Sequence, residues 1–294
     1  MKQLNGIYAA SLSILKNDLS LDIENTTQHA ENLIKLGCHG VVIFGSTGQA
    51  QLISLSEKIQ LINRLSNSKD RDRFIIGTGL NSLSDTINLM NISKSLRLNK
   101  FLIMPPAYYK YNDNDVINFY SKIIENVVDC KIILYNFEKL SGYKFSIKCI
   151  EDLVTKFSSQ IIGLKDSTYN LYDNLKIDNF SILPGSETKL LKGLEAGCTG
   201  IITATTNVTA SLARNVYDNF INKKDLTLNK KLCDVRNAFD KFNLISALHT
   251  LLSRKNTNYK NILPPLHLLS DVEEHELNLT LKNLNFDFET LRAA

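Results

Sequence analysis

A series of short apolar runs, rich in β-branched residues, recurs through the first two-thirds of this 294-residue chain and restricts its fold more than any other feature. The runs are continuous instead of alternating between apolar and polar residues, which is typical of parallel strands buried on both faces. There are eight of them, at residues 6–11, 40–45, 74–79, 100–106, 131–136, 161–166, 180–185 and 200–205. They predict eight strands of one parallel sheet.

Helical patterns separate most of these runs. Residues 22–36 have a helical spacing of apolar side chains and stop at Gly37, which suits a helix C-terminus. Ser54 and Glu57 have the spacing of a capping box at the start of a second helix. Similar patterns cover residues 113–128, 146–157 and 188–196. The alternation of strands and helices predicts an α/β fold with parallel strands.

Eight strand–helix units in about 205 residues predict a (β/α)8 TIM barrel. The alternative is an open doubly wound sheet, but the first predicted strand is not followed by the G-x-G-x-x-G motif often found there. From about residue 209 the pattern is mostly helical, with a break at Pro264-Pro265. We expect a barrel over residues 1–225 and a C-terminal helical extension over residues 226–294, packed on the barrel rather than forming a separate domain.

Composition excludes several classes of protein. The 34 basic and 30 acidic residues give a net charge of +4 without a long basic run, so nucleic-acid binding is not expected. No apolar stretch is long enough for a membrane span, and the N-terminus lacks the pattern of a signal peptide. The five cysteines are scattered and form no C-x-x-C pair. This usage predicts a reduced cytoplasmic protein without disulfides or structural zinc.

Lys165 stands at the end of the sixth run, directly after Ile161-Ile162-Gly163-Leu164. Lysine rarely ends a buried strand, because its ammonium group is strongly hydrated. A lysine whose pKa is lowered by burial can attack a ketone and form a Schiff base. The alternative interpretation is a side chain that extends from the strand end into water.

Other chemically useful residues follow the remaining runs, and in a TIM barrel the C-terminal ends of the strands meet at the active site. They are Gly45-Ser46-Thr47-Gly48, Tyr108-Tyr109, Tyr135, Gly185-Ser186-Glu187 and Thr205. The set contains no histidine and no cluster typical of a metal site. It favours imine chemistry, in which the lysine attacks a 2-keto group, a tyrosine transfers protons and the glycine-rich loop binds a carboxylate. Taken singly, each motif also fits a tight turn, a packed aromatic ring or an interface patch.

These motifs resemble those of the class I pyruvate-dependent aldolases and lyases, the family that includes dihydrodipicolinate synthase and N-acetylneuraminate lyase. The resemblance covers about residues 4–225. It rests on motifs that occur in the same order along the chain, namely Gly45-Ser46-Thr47-Gly48, Pro105-Pro106-Ala107-Tyr108-Tyr109-Lys110, Tyr135-Asn136, Ser141-Gly142, Gly163-Leu164-Lys165-Asp166-Ser167, Pro184-Gly185-Ser186-Glu187-Thr188 and Ala196-Gly197-Cys198-Thr199-Gly200.

The resemblance implies a role for each catalytic residue. Lys165 would be the Schiff-base lysine and Tyr135 the proton-relay tyrosine. The hydroxyl of Ser46 would link Tyr135 to a second tyrosine donated across a dimer interface. Tyr108 is the expected second tyrosine, and Tyr109 is the alternative. The resemblance also implies a homotetramer, built as a dimer of dimers, that needs no metal or organic cofactor.

The resemblance further implies where substrate binds. Residues 45–48, with Ser46 and Thr47 foremost, would hold the pyruvate carboxylate. Gly185, Ser186 and Glu187, together with Thr205, would contact the aldehyde portion. The Glu187 carboxylate suits a polyhydroxy substrate, and the alternative is that it caps the following helix.

Leu140 departs from the pattern of the dihydrodipicolinate synthases, which generally have an arginine there to meet the carboxylate of the aldehyde. An apolar side chain cannot replace a guanidinium in this role. Leu140-Ser141-Gly142 is similar instead to sialic acid lyases and sugar-acid aldolases. Three further positions differ from the family pattern. Glutamate is usual at Gln49 and proline is usual at Glu138, and residues 168–170 also depart from the pattern.

The leading hypothesis is a class I aldolase or lyase acting on pyruvate and an aldehyde, with a sugar-derived 2-keto acid as its substrate. The alternatives are 4-hydroxy-tetrahydrodipicolinate synthase, which uses aspartate semialdehyde, and a dehydratase of a sugar acid that uses the same imine. A fourth possibility, from a different class, is a non-catalytic barrel that binds a keto acid.

Overall fold

A computed structural model of the chain describes residues 4–288. Its eight parallel strands form one sheet in the order β7-β6-β5-β4-β3-β2-β1-β8. A backbone hydrogen bond from Thr199 N–H to the carbonyl of Ile182 (3.0 Å) spans the remaining gap, between β7 and β8, so the barrel is nearly closed. The strands are β1 (Gly6–Ala10), β2 (Gly40–Ile43), β3 (Phe74–Gly77), β4 (Lys100–Ile103), β5 (Lys131–Asn136), β6 (Ile161–Asp166), β7 (Ser181–Pro184) and β8 (Gly200–Thr203). The predicted TIM barrel is confirmed, and each strand lies within its predicted run.

Helices between the strands form the outer layer, and further helices follow β8. They are α1 (Ile23–Lys35), α2 (Leu55–Leu65), α3 (Leu83–Ser95), α4 (Asp113–Asn126), α5 (Glu138–Ser141), α6 (Ile147–Lys156), α7 (Leu190–Glu195), α8 (Thr206–Ile221), α9 (Leu228–Phe239), α10 (Leu244–Ser253) and α11 (Asp271–Asn283). Ser54 caps α2 as the predicted capping box with Glu57. Within residues 4–288, no helix has both the length and the apolar character that crossing a bilayer requires.

The strands are buried on both sides, as their continuous apolar runs predict. In β2, Val42 lies in the cluster inside the barrel, whereas Val41 and Ile43 lie in the cluster between the barrel and its helices. In β5, Tyr135 belongs to the inner cluster. Side chains at strand ends that point inward therefore reach the mouth of the barrel.

An irregularity in β6 alters this alternation shortly before Lys165. Ile132 of β5 pairs with Ile161, but the next residue, Ile133, pairs with Gly163, so β6 contains one extra residue. This is the geometry of a β-bulge. Gly163 is needed here because a Cβ atom would lie 2.6 Å from the carbonyl oxygen of Ser181 on β7.

The bulge directs Lys165 to the inside of the barrel. Ile162 belongs to the inner cluster, and regular alternation would place Leu164 inside and Lys165 outside. With the extra residue, Leu164 lies in the outer cluster instead. Lys165 pairs with the inward-facing Tyr135 of β5.

The C-terminal helices share a core with the barrel. Phe239 of α9 and Leu248 of α10 belong to the same buried cluster as Leu12, which follows β1, and Val208 of α8. Residues 226–288 therefore pack on the barrel. The predicted extension ends at residue 294, so its last six residues, like the first three of the predicted barrel, lie outside the described part of the chain.

A buried hydrogen-bonded chain also joins the two parts. His29 of α1 contacts Asn207 Oδ1 through Nε2 (2.7 Å) and the Tyr259 hydroxyl through Nδ1 (2.8 Å). Burial lowers the pKa of His29 to about 4, although its hydrogen bond to Asn207 acts in the opposite direction. Burial also lowers the pKa of His249, whose Nδ1 contacts the carbonyl of Tyr259.

We expect this neutral histidine to make the protein less stable in acid. A histidine titrates near 6.5 in the unfolded chain, so stability is fully present above that pH and falls as the pH drops towards 4, where folded His29 takes up its proton. The loss attributable to His29 is about 3 kcal/mol. Urea unfolding of wild type and His29→Gln across this range measures it, because glutamine can make both hydrogen bonds without titrating. His275→Gln, on the exposed face of α11, is the control. Parallel pH profiles for wild type and His29→Gln would contradict the expectation.

Candidate active site

Lys165 and Tyr135 form the centre of the site. They pair across β6 and β5, and the Lys165 Nζ lies 4.2 Å from the centre of the Tyr135 ring. Both are buried, with 3% and 4% of their surfaces exposed. Nothing within residues 4–288 accepts a hydrogen bond from this ammonium group or forms an ion pair with it. The face of the tyrosine ring beside it attracts cations.

The next residue along each strand holds the pair in register. Asn136 donates from Nδ2 to Asp166 Oδ1 (2.9 Å) and accepts at Oδ1 from the N–H of Phe145 (3.2 Å). Asp166 also accepts from four backbone N–H groups, those of Thr168, Tyr169, Leu171 and Tyr172. Burial raises the pKa of Asp166, and these hydrogen bonds oppose the shift. The asparagine and the carboxylate therefore order the loop that follows Lys165.

The loop after β2 places hydroxyl groups beside Tyr135. The Ser46 Oγ lies 3.1 Å from the Tyr135 hydroxyl, and either group can donate this hydrogen bond. The loop is a 3₁₀ turn over Ser46–Gly48. Gly48 N–H donates to the carbonyl of Gly45 (3.1 Å). The backbone N–H groups of Ser46 and Thr47, which precede it, have no acceptor within the turn. The Thr47 hydroxyl has no partner in the described part of the chain. The loop thus has groups that can bind an anion.

A cavity of about 170 Å³ lies beside this hydroxyl pair. Ser46 and Tyr135 form part of its wall, and the rest is mainly apolar, with Met104 and Leu140 among the lining residues. None of the residues that line this cavity, Leu140 included, carries a charge.

The predicted second tyrosine does not join the site within a single chain. Tyr108 and Tyr109 are 91% and 75% exposed, and their rings contact each other edge to face at 5.1 Å. Tyr108 has a φ of +91°, a backbone conformation that is rare for a residue with a side chain. Two large exposed aromatic rings are unusual on a monomer surface and typical of an interface.

Glu187 lies in a closed network rather than on an open surface. Its carboxylate is 0% exposed and accepts hydrogen bonds from the hydroxyls of Thr203 (2.7 Å) and Thr205 (2.7 Å). A third hydroxyl, of Thr209, lies at 3.2 Å. Arg236 of α9 completes the set, with its Nη1 3.1 Å from the same carboxylate. The protein itself therefore occupies the hydrogen-bonding positions of Glu187 and Thr205, and sugar binding by these two residues remains a prediction.

The neighbours of Glu187 have structural roles. Ser186, and not Glu187, caps the following 3₁₀ turn by accepting from the N–H of Thr188. Gly185 has no room for a side chain, because a Cβ atom would lie 2.2 Å from the Ser167 Oγ. Gly185 and Ser167 therefore lie in close contact, and the loop after β7 packs against the loop that contains Ser167, after Lys165.

Lys58 is a second buried lysine that the sequence analysis missed. It belongs to the apolar face of α2, is 0% exposed and donates from Nζ to the carbonyls of Thr78 (2.8 Å) and Gly79 (3.3 Å). Burial lowers its pKa to about 8. Nothing in the sequence indicated that Lys58 is buried, because lysines on the surface of a helix occur in the same kind of helical pattern.

Arg236 was also missed, because it lies 49 residues from Glu187 in a segment predicted only as helical. Among residues 4–288, no three histidine, cysteine or acidic side chains are grouped as a metal site would require. The site as described thus consists of a lysine, a tyrosine and hydroxyl groups at the mouth of a barrel, the class of site found in TIM-barrel enzymes.

The sequence matches the model of the dihydrodipicolinate synthetase family over residues 3–284, and the chain belongs to this family. An uncharacterised DapA-like lyase of Chloroflexus aurantiacus is 29% identical, over 100% of this chain and 97% of that protein. The 4-hydroxy-tetrahydrodipicolinate synthase of Legionella pneumophila is 30% identical, over 73% of this chain and 74% of that protein. The protein is therefore an enzyme of an aldolase and lyase family.

Solved structures show the same fold. YagE, a prophage protein of E. coli K12 solved in complex with pyruvate, superposes with a TM-score of 0.87 at 21% identity, over 96% of this chain and 99% of that one. A variant of the 2-keto-3-deoxygluconate aldolase of Sulfolobus solfataricus superposes with a TM-score of 0.84 at 21% identity, over 95% and 96% of the two chains.

Proposed function

We propose that the protein is a class I aldolase that forms or cleaves a carbon–carbon bond between pyruvate and an aldehyde, through an imine on Lys165. The observation that carries this proposal is the buried Lys165 ammonium group, which has no acidic partner among residues 4–288 and lies 4.2 Å from the Tyr135 ring. A lysine that no ion pair or hydrogen bond holds, at the end of a barrel strand beside a tyrosine, is placed to attack a ketone as a nucleophile.

In the proposed reaction the Lys165 nitrogen adds to the C2 ketone, and water leaves as the imine forms. For cleavage, the Tyr135 oxygen takes the proton of the hydroxyl on the carbon that leaves as the aldehyde, while Tyr135 passes its own proton along the hydrogen bond to Ser46 and on towards solvent. The electron pair of the breaking carbon–carbon bond moves into the protonated imine to give an enamine. The enamine takes up a proton and water hydrolyses the imine, which releases pyruvate. The reaction needs no metal or organic cofactor, since the protonated imine accepts the electrons.

Leu140 favours a sugar-derived 2-keto acid over aspartate semialdehyde as the natural substrate. Its wall of the cavity has no cation to bind the carboxylate of aspartate semialdehyde. The 2-keto-3-deoxygluconate aldolase among the similar structures supports the first choice, and the relatives named 4-hydroxy-tetrahydrodipicolinate synthase support the second. Dehydration of a sugar acid would use the same imine.

The exposed tyrosines support a role for a second copy of the chain. In the proposed assembly, a homotetramer built as a dimer of dimers, Tyr108 of one subunit reaches the Ser46–Tyr135 pair of the next, with Tyr109 as the alternative. The exposure of both rings in the single chain supports this arrangement. Sedimentation measurements would determine the oligomeric state.

Borohydride reduction with pyruvate, followed by peptide mass mapping, tests the proposal. We expect a reduced pyruvyl adduct on the peptide that contains Lys165. Pyruvate release from 2-keto-3-deoxy sugar acids and from N-acetylneuraminate then identifies the substrate, and condensation with aspartate semialdehyde tests the alternative. Absence of any adduct on a folded protein would refute the imine mechanism and favour a non-catalytic keto-acid-binding barrel.

A further inference from the structure

Gln49 occupies an unusual position directly after the 45–48 loop. It is 5% exposed and has a left-handed backbone, with φ 52° and ψ 34°. Residues other than glycine, asparagine and aspartate rarely adopt this conformation, which carries an energetic cost. Its N–H donates to the carbonyl of Ser46 (3.0 Å), so the position of Gln49 is coupled directly to the shape of the loop.

The side-chain amide of Gln49 binds both backbone groups of Leu263 in the C-terminal extension. Its Nε2 donates to the carbonyl of Leu263 (3.0 Å), and its Oε1 accepts from the N–H of the same residue (3.2 Å). The pair requires one donor and one acceptor on a single planar group, which an amide supplies. An ionised carboxylate has acceptors only, and it would place a negative charge against the carbonyl oxygen of Leu263.

The extension segment that Gln49 binds is itself attached to the barrel. Asn261 donates from Nδ2 to the carbonyl of Leu15, after β1 (3.1 Å). Tyr259 contacts His29 through its hydroxyl and His249 through its carbonyl. On the other side of the loop, the Ser13 hydroxyl donates to the carbonyl of Gly48 (2.7 Å). The loop is therefore held between the end of β1 and the extension.

We propose that Gln49 is a positioning residue for keto-acid binding, which holds the loop of residues 45–48 in shape through its two hydrogen bonds to Leu263. The inference rests on the proposed function, in which this loop binds the carboxylate of pyruvate. It gives the C-terminal extension a part in substrate affinity through Leu263.

Gln49→Glu tests the proposal, because it keeps the size of the side chain and removes the donor. At about pH 8 the variant should need roughly tenfold more pyruvate for half-maximal trapping by borohydride, since a buried carbonyl loses its partner. Trapping at saturating pyruvate should stay within about twofold of wild type, because Lys165 and Tyr135 are untouched.

Lowering the pH separates positioning from a general loss of structure. A protonated carboxyl group has one donor and one acceptor, like the amide. The ratio of half-saturating pyruvate concentrations, variant over wild type, should therefore fall towards one as the pH drops to about 5.5, because burial raises the pKa of a carboxyl group. Gln49→Met, which cannot make either hydrogen bond at any pH, should be impaired without recovery. Gln28→Glu, with the same charge change on the exposed face of α1, should match wild type throughout.

The outcomes are distinguishable. An unchanged pyruvate requirement in Gln49→Glu and Gln49→Met would overturn the inference while leaving the imine mechanism intact. A second result would also overturn it. In that result, Gln49→Glu needs more pyruvate at every pH and loses trapping at saturating pyruvate to the same extent, which indicates a structural defect. If Gln49→Glu does not fold, a wild-type pyruvate requirement in Gln49→Met is sufficient to overturn the inference. Failure of the wild-type protein to form an adduct would refute the proposed function itself.

Discussion

Lys165→Ala is expected to abolish the borohydride-trapped adduct with pyruvate and to lower turnover by about 10³-fold or more. Alanine removes the amine that would attack the ketone in the proposed mechanism. Lys165 is placed there by its pairing with Tyr135 and by the bulge at Gly163. The measurement is adduct formation by mass spectrometry together with pyruvate release from an identified substrate.

Lys58 is the informative comparison, because it too is buried and its pKa is lowered to about 8. Its Nζ is bonded to two carbonyl oxygens and is fully enclosed, so we expect no adduct on its peptide. Tyr135→Phe serves as a second comparison. It should still form the adduct but lose roughly 10²-fold in kcat, because the proposed proton relay is removed while the Lys165 amine remains. An adduct that persists in Lys165→Ala would contradict the proposed mechanism.

Arg236→Met is expected to have the largest effect on stability, lowering the free energy of unfolding by about 3 kcal/mol or more. The variant leaves the Glu187 carboxylate, which is 0% exposed, without a cationic partner in a site that water cannot easily reach. Three threonine hydroxyls still donate to it, which limits the loss. Urea unfolding of wild type and variant at about pH 7 measures the difference.

The double variant Arg236→Met with Glu187→Gln tests the cause. Removing both charges should recover most of the lost stability, since the cost comes mainly from an uncompensated buried charge. Arg64→Met provides the matched surface control. Arg64 pairs with Glu24, which is 70% exposed, so its loss should cost less than about 1 kcal/mol. Equal losses in Arg236→Met and Arg64→Met would show that the buried pair contributes no more than a surface one.

The site was partly predictable because its residues belong to local motifs. Lys165 and Tyr135 each end an apolar run, and Ser46 and Thr47 follow another, so the geometry of parallel strands was enough to place all four at one end of the barrel. Glu187 was different. The sequence allowed either a helix cap or a substrate contact for Glu187, and the choice depended on which side chains contact its carboxylate. One of these is Arg236, which belongs to a helix 49 residues further along the chain.

The sequence by itself determined the eight strands, the helices between them and the strand ends at which the reactive residues stand. These properties depend on periodicity and on short motifs, which act over a few neighbouring residues. Only the tertiary structure decided that Lys165 points into the barrel and that Gln49 binds the extension at Leu263. A one-residue bulge is defined by pairing with another strand, and a hydrogen bond across 214 residues is defined by packing, so neither leaves a local pattern in the chain.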